Sequence, residues 1–345
     1  MVHDLNFAQI MPVIYNKRCF RLCISYYIIN ILRFYILQLQ SFGFMTTPAL
    51  QCFINRHKLT ESYLSMAEQW FSPIISEFGN HYERDQSVQI IGINGCQGSG
   101  KSTLADYLCT QVKLQYDVTT VALSLDDFYL TKKERSALAL DVHPLLAIRG
   151  VPGTHDIGLA IDTINSLKTG VKTLLTRFDK STDDRVAIKE CSTTEGPIGL
   201  IVVEGWCFGA TPETEEKLAV SINELERQSD AGALWRHFVN DALAGDYQTL
   251  FNMADRRVML RAPSFDNVFQ WRLEQEQKLV ERLKLSDAEQ AISKTMSEDD
   301  IRHFINYFQR ITEHCLSCMP EQVDHLYQLN ESRAITHHKR LNSNS

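Results

Sequence analysis

The 345-residue chain sets 35 Lys and Arg against 42 Asp and Glu, for a net charge of −7, and 44% of its residues are hydrophobic. That is ample apolar surface for one large α/β domain or two smaller ones, and an acidic chain without a basic stripe is not a general nucleic-acid binder. Nine cysteines at irregular spacings, in a chain too large to need covalent staples, read as reduced thiols and an expected cytoplasmic location.

Residues 1–44 differ from the rest of the chain. Arg18, Arg21 and Arg33 stand among Cys19, Phe20, Leu22, Ile24, Tyr26, Tyr27, Ile28 and Ile31, with Asp4 the one acid. The apolar part, Leu22 to Ile31, is well short of the roughly 20 residues a spanning helix needs, and no small-residue cleavage site comes after it. No membrane association is expected. Met45 opens normally patterned sequence, so the expectation is an unpacked or artefactual extension over 1–44, a single domain over 45–335 and a polar tail over 336–345, frayed from Ser332 on. From Pro48 to Tyr82, Phe53, Ile54, Leu64, Ala67, Phe71, Ile74, Ile75 and Phe78 recur at helical spacing. They predict helices over one face of a sheet, the last stopped by Gly79-Asn80.

The apolar run Val88–Ile93 then leads into Gly95-Cys96-Gln97-Gly98-Ser99-Gly100-Lys101-Ser102, with the helical Thr103–Leu108 directly behind it. Strand, glycine-rich turn and helix are the context in which G-x-x-x-x-G-K-[ST] binds a nucleoside triphosphate: backbone N–H groups and the helix N-terminus face the phosphates. Lys101 is assigned to the β/γ-phosphates and Ser102 to Mg²⁺. Cys96, beside a helix N-terminus and Lys101, is expected to have a lowered thiol pKa and to be alkylated in competition with MgATP.

Thr119–Ser124 predicts a second buried strand that ends in Asp126-Asp127-Phe128-Tyr129. Carboxylates at that edge of an α/β sheet suggest a small-molecule kinase in which an Asp takes the proton of an acceptor hydroxyl. Arg149–Asp156, a helix over Ile157–Leu167, and a strand over Val171–Leu175 come next. The loops carry Arg149, His155, Arg177, Lys180 and Arg185, candidate cations for an anionic acceptor, with Arg177 the main carboxylate contact. Leu200–Val203 ends in Glu204-Gly205, an acid beyond a buried strand that can orient the shell of Mg²⁺. Beyond it lie a helix over Trp235–Met253, a strand over Arg257–Leu260 and a long helix over Phe265–Leu283. A further helix is capped by Ser297, and a closing strand covers His325–Leu329. Cys315 and Cys318, the one C-x-x-C, read as thiols of a helix rather than a metal site. The alternation predicts a P-loop NTPase fold, a parallel sheet with helices on both faces and a helical lid.

In this order, Gly95–Thr103, Leu123–Thr131, Arg149–Asp156, Thr176–Ser181, Asp183–Arg185, Val202–Trp206 and Trp271–Glu276 resemble the plant-type D-glycerate 3-kinases and their fungal and bacterial relatives. These are P-loop kinases related to uridine kinase, phosphoribulokinase and pantothenate kinase, and the match covers Met45 to Ile335. The resemblance implies ATP and Mg²⁺, a small hydroxy-acid acceptor and Asp126 as base. The loops then supply nucleotide contacts from Gly95 to Thr103 and acceptor contacts from Asp127, Tyr129, Arg149, His155, Asp156, Arg177, Lys180 and Arg185. One segment departs: the family's G-R-G-D-R-A appears as Thr182-Asp183-Asp184-Arg185-Val186.

The leading expectation is phosphoryl transfer from ATP to D-glycerate. The same chemistry on pantothenate, a nucleoside or another hydroxy acid stays open, as does a nucleotide-gated regulatory protein. An N-K-x-D guanine-reading motif and an L-S-G-G-Q signature are both absent from the sequence. Oligomeric state is left open.

Overall fold

The computed structural model describes residues 46–285 and 295–341, so the expected extension over 1–44 lies outside the described residues. The described residues fall into two units, divided between Asn55 and Arg56. The described part of the first belongs to helix α1 (Pro48–His57).

The second unit begins with α2 (Ser62–Asp85), β1 (Gln89–Gly95), α3 (Lys101–Tyr116), β2 (Thr119–Ser124), α4 (Lys132–Asp141) and α5 (Ile157–Thr169). Four short strands come next, β3 (Thr173–Leu175), β4 (Phe178–Asp179), β5 (Asp184–Arg185) and β6 (Ser192–Thr194), and then β7 (Ile198–Gly205). The remainder comprises α6 (Glu215–Leu218), α7 (Glu224–Ser229), α8 (Leu234–Ala244), α9 (Asp246–Phe251), β8 (Arg256–Arg261), α10 (Phe265–Leu285), α11 (Glu298–Cys318), β9 (His325–Leu329) and β10 (Ile335–Arg340).

The central sheet has the order β10-β9-β8-β1-β7-β2, parallel throughout except for β10. β1 and β7 are buried along their whole length, as strands covered on both faces must be, and their middles are apolar, with Gln89 and Asn94 of β1 and Glu204 of β7 at or near the strand ends. On one face Ile90, Leu123, Val203 and Met259 join a core with residues of α5, α8, α9 and α11. On the other face α3 packs against β1, β2 and β7, and Phe71 of α2 meets Tyr107 and Tyr327 edge-on or tilted at 6.0 and 5.1 Å. Register places the chemistry: Glu204 lies opposite Ile93 of β1 and Ser124 of β2, so three adjacent strands end at one edge. No helix of the described residues is long and apolar enough to cross a membrane.

Four local expectations are corrected. Gly79-Asn80 does not stop α2, which runs on to Asp85; a Cβ on Gly79 would lie 2.0 Å from Tyr116 Oη, so this glycine lets α2 approach α3. The helix expected over 235–253 is two helices, broken at Gly245, where ψ of −121° cannot continue a helix. The strand ending at Leu175 stays out of the main sheet and pairs antiparallel with β6. The tail expected to fray from Ser332 instead returns as β10, with His338 stacked on Tyr327 at 4.4 Å; residues 342–345 lie outside the described residues. Ser297 caps α11 as expected, in a reciprocal capping box with Asp300.

Gly79 sets two effects against each other. Ala in a helix interior gains about 1 kcal/mol over Gly, whereas forcing a methyl into a packed contact costs about 1–3 kcal/mol. The hydroxyl oxygen and two ring carbons of Tyr116 lie within 2.6 Å of that methyl, so the side chain must move as a body. Gly79→Ala is expected to lower the urea midpoint; a raised midpoint would show that α2 and α3 do not depend on this close approach.

Candidate active site

The phosphate-loop sequence folds as its composition demands. β1 ends at Gly95, Ser99 N–H closes a turn on Cys96 O at 3.2 Å, and α3 starts at Lys101. Gly98 and Gly100 have φ of 79° and 93°, conformations open to glycine and strained for other residues, and a Cβ on Gly98 would come within 2.9 Å of Trp271 Cβ. Helix α10 therefore lies directly on the loop. Thr103, in the first turn of α3, has its Oγ1 3.4 Å from His57 Nδ1.

Lys101, Glu204 and Asp126 are brought together. Lys101 Nζ is 3.7 Å from Glu204 Oε2, and Ser102 Oγ donates to Glu204 Oε1 at 2.6 Å. Burial alone would lower the Lys101 pKa, but Glu204 and Asp126 more than offset this, so the ammonium stays charged. Asp126 accepts from Tyr129 Oη at 2.9 Å and from Lys180 Nζ at 2.6 Å. Burial pushes its carboxyl up, yet Lys180, Lys101 and these hydrogen bonds hold it well below the usual carboxylate range.

The neighbouring carboxylate does something else. Asp127 accepts from Arg177 Nη1 at 2.5 Å and from Phe178 N–H at 3.4 Å, which pins the β4–β5 hairpin to the end of β2; burial raises its pKa against these contacts. The Arg149–Asp156 loop is stitched to the same segment by Leu130 N–H to Thr154 O and Asp156 N–H to Phe128 O, at 2.9 and 2.7 Å. Asp156 also caps α5 and pairs with Arg185 at 3.0 Å, and Arg185 Nε donates to Tyr129 O.

Two expectations about charge are overturned. The sequence suggests loop cations without counter-charges inside the protein, but Arg149 pairs with Asp183, Arg177 with Asp127, Lys180 with Asp126 and Arg185 with Asp156. His155 is no cation either: burial pushes its pKa down to about 4, with Asp126 opposing weakly. The Cys96 thiol is buried, and burial pushes it up to about 12 despite Lys101 and Arg333 nearby. The helix terminus does not generate the expected thiolate there, because the side chain points away from solvent into protein. Cys315 and Cys318 are unpaired thiols on α11.

Arg135 and Tyr247 carry no sequence signal because their partners are remote along the chain. Arg135, fully buried, donates to Leu130 O and Ala147 O and pairs with Asp183 at 2.9 Å. Asp183 stands where the family has the glycine before Asp-Arg. It has a left-handed φ of 57°, with Arg135 and Arg149 on its carboxylate. Tyr247 of α9 holds Gly153 N–H and His155 Nδ1, at 3.0 and 2.6 Å.

A ligand-binding role fits the polar atoms left over. Among the described residues, the buried side-chain atoms without a hydrogen-bond partner include Gln97 Oε1, Ser99 Oγ, Glu204 Oε2 and His155 Nε2, and native interiors leave few such groups.

A kinase of Schizosaccharomyces pombe, the uncharacterized kinase mug58, is 35% identical to this chain over 228 residues, covering 64% of the chain and 78% of that protein. The chain belongs to the P-loop kinase family that includes the plant-type D-glycerate 3-kinases. It is a phosphotransferase that acts on an alcohol group. The chloroplastic D-glycerate 3-kinase of Arabidopsis thaliana is 30% identical over 200 residues; the match takes in 54% of this kinase and 41% of the plant protein. The solved D-glycerate 3-kinase of Cryptococcus neoformans superposes with a TM-score of 0.61 at 26% identity, covering 78% of this kinase and 96% of that chain. No family model matches the chain.

Burial of Cys96 gives a direct test in this kinase. Native protein treated with a small alkylating reagent at pH 7.5 is expected to label Cys52, which is exposed, well before Cys96, at rates MgATP does not change. Rapid labelling of Cys96 that MgATP blocks would restore the thiolate.

Proposed function

We propose that this kinase transfers the γ-phosphoryl group of ATP to a hydroxyl of D-glycerate, forming 3-phosphoglycerate and ADP. The observation that carries the reading is the meeting of a mostly buried Lys101, Glu204 and an ionised Asp126 at one sheet edge. The two glycerate kinases among its relatives support the acceptor.

In this reading the glycine loop and the N-terminus of α3 hold the phosphates, and Lys101 neutralises charge on the transferring group. The acceptor oxygen attacks the γ-phosphorus, the bond to the β-phosphate oxygen breaks, and the hydroxyl proton passes to Asp126. Hard oxygen donors suit Mg²⁺, and Ser102 Oγ with Glu204 Oε2, which has no hydrogen-bond donor, would hold it, where it would offset phosphate charge.

The acceptor's carboxylate has to compete for cations that already have partners. Lys180 and Arg177 are the most available: each has a single carboxylate partner, and their side chains are 60% and 41% exposed. A glycerate carboxylate that draws Lys180 away removes one of the interactions that keep Asp126 acidic. The base then gains proton affinity as its substrate arrives.

Coupled ADP release over D-glycerate, L-glycerate, pantothenate and uridine tests the proposal. ADP release with D-glycerate is expected. Asp126→Asn should lower kcat by about 10²–10⁴-fold with KM for ATP little changed. Turnover of uridine and none of D-glycerate would refute the acceptor, and full activity of Asp126→Asn would refute the base.

A further inference from the structure

His155 is buried, and one of its ring nitrogens is committed while the other is not. Nδ1 lies 2.6 Å from Tyr247 Oη, which also accepts Gly153 N–H at 3.0 Å. Nε2 is buried without a partner. Tyr129 stacks on the ring at 4.4 Å, and the Tyr129 hydroxyl donates to Asp126, so the imidazole stands one ring away from the proposed base.

The hydrogen bonds select the tautomer. A backbone N–H can only donate, so Tyr247 Oη accepts from Gly153 and has a single hydrogen of its own to place. Nδ1 is its acceptor at 2.6 Å. Were Nδ1 protonated, the oxygen would receive two donors and leave its own O–H unpaired in the interior, the costlier arrangement. The neutral ring therefore carries its proton on Nε2. The groups facing it are Tyr129 of the strand-2 turn, Tyr247 of α9 and the Asp126 charge. None of them supplies an acceptor for that proton.

We propose that His155 is a neutral, permanent N–H donor to an oxygen of the phosphoryl acceptor beside Asp126, and that Tyr247 is the positioning residue that fixes its tautomer. This rests on the reading that the acceptor lies at Asp126, and it gives His155 a role different from that of a cation. A neutral donor recognises a hydroxyl or carboxylate oxygen by direction rather than by charge. It also stays unchanged as the pH crosses the ordinary range of histidine.

Two measurements test it. In ¹⁵N-histidine-labelled protein, His155 is expected to show the neutral Nε2–H tautomer at pH 6, and Tyr247→Phe is expected to give a mixture of tautomers. An imidazolium or an Nδ1–H tautomer in the parent protein overturns the proposal whatever the acceptor proves to be. In steady-state kinetics, run with whichever acceptor supports ADP release, the Gln amide reaches toward the Nε2 position and the Asn amide only toward Nδ1. His155→Asn is expected to raise the acceptor KM about ten- to a hundred-fold, and His155→Gln only a few-fold, with KM for ATP unchanged in both. Equal losses in Asn and Gln variants, or an acceptor KM in the parent that climbs as pH rises through 6 to 7, contradict a neutral donor. If D-glycerate fails while another acceptor works, the substrate assignment falls and the His155 proposal is tested on that other acceptor.

Discussion

An ammonium largely withdrawn from water needs negative charge close by, and much of this kinase is arranged to meet that need. Lys101 leaves water at the start of α3, and Glu204 and Asp126 keep it charged. Neither carboxylate is near it in sequence. Parallel register brings them in: Glu204 comes at the end of β7, beside β1, and Asp126 in the turn after β2, beside β7. A slip of one residue in the β1–β7 pairing would turn the Glu204 carboxylate to the opposite face of the sheet. The apolar middles of β1 and β7 thus serve the chemistry as well as the core.

A second layer of charge surrounds the first. Asp126 is held by Lys180 and Tyr129, Asp127 by Arg177, Asp183 by Arg135 and Arg149, and Asp156 by Arg185. These pairs tie the β4–β5 hairpin and the Arg149–Asp156 loop to the end of β2. The benefit of these pairs is geometric: they set where these two loops lie.

Much of this is legible in the sequence because it depends on local pattern. The phosphate loop, the carboxylates after β2 and β7, and the Ser297 cap all follow from residue types at fixed spacing. The rest depends on contacts between distant residues. Whether Arg177 is free or bound to Asp127 is a question of tertiary approach, and Arg135 looks like any helix-surface arginine until Asp183 meets it. Cys96 shows the same limit: its place beside Lys101 suggests a thiolate, but the direction of the side chain decides, and it points into the protein. Gly79 looks like a stop, the usual local meaning of glycine, where its missing Cβ serves close helix packing. Asp183 shows the opposite case, a non-glycine residue that takes a left-handed conformation usual for glycine.

The central claim is that Lys101, Glu204 and Asp126 form one phosphoryl-transfer centre with the lysine at its middle. The most direct test is single-turnover transfer from γ-labelled ATP by Lys101→Ala, with the thermal midpoint and circular dichroism recorded on the same sample. The account predicts a folded protein in which transfer is lost. Transfer at a rate comparable to that of the parent protein would contradict it.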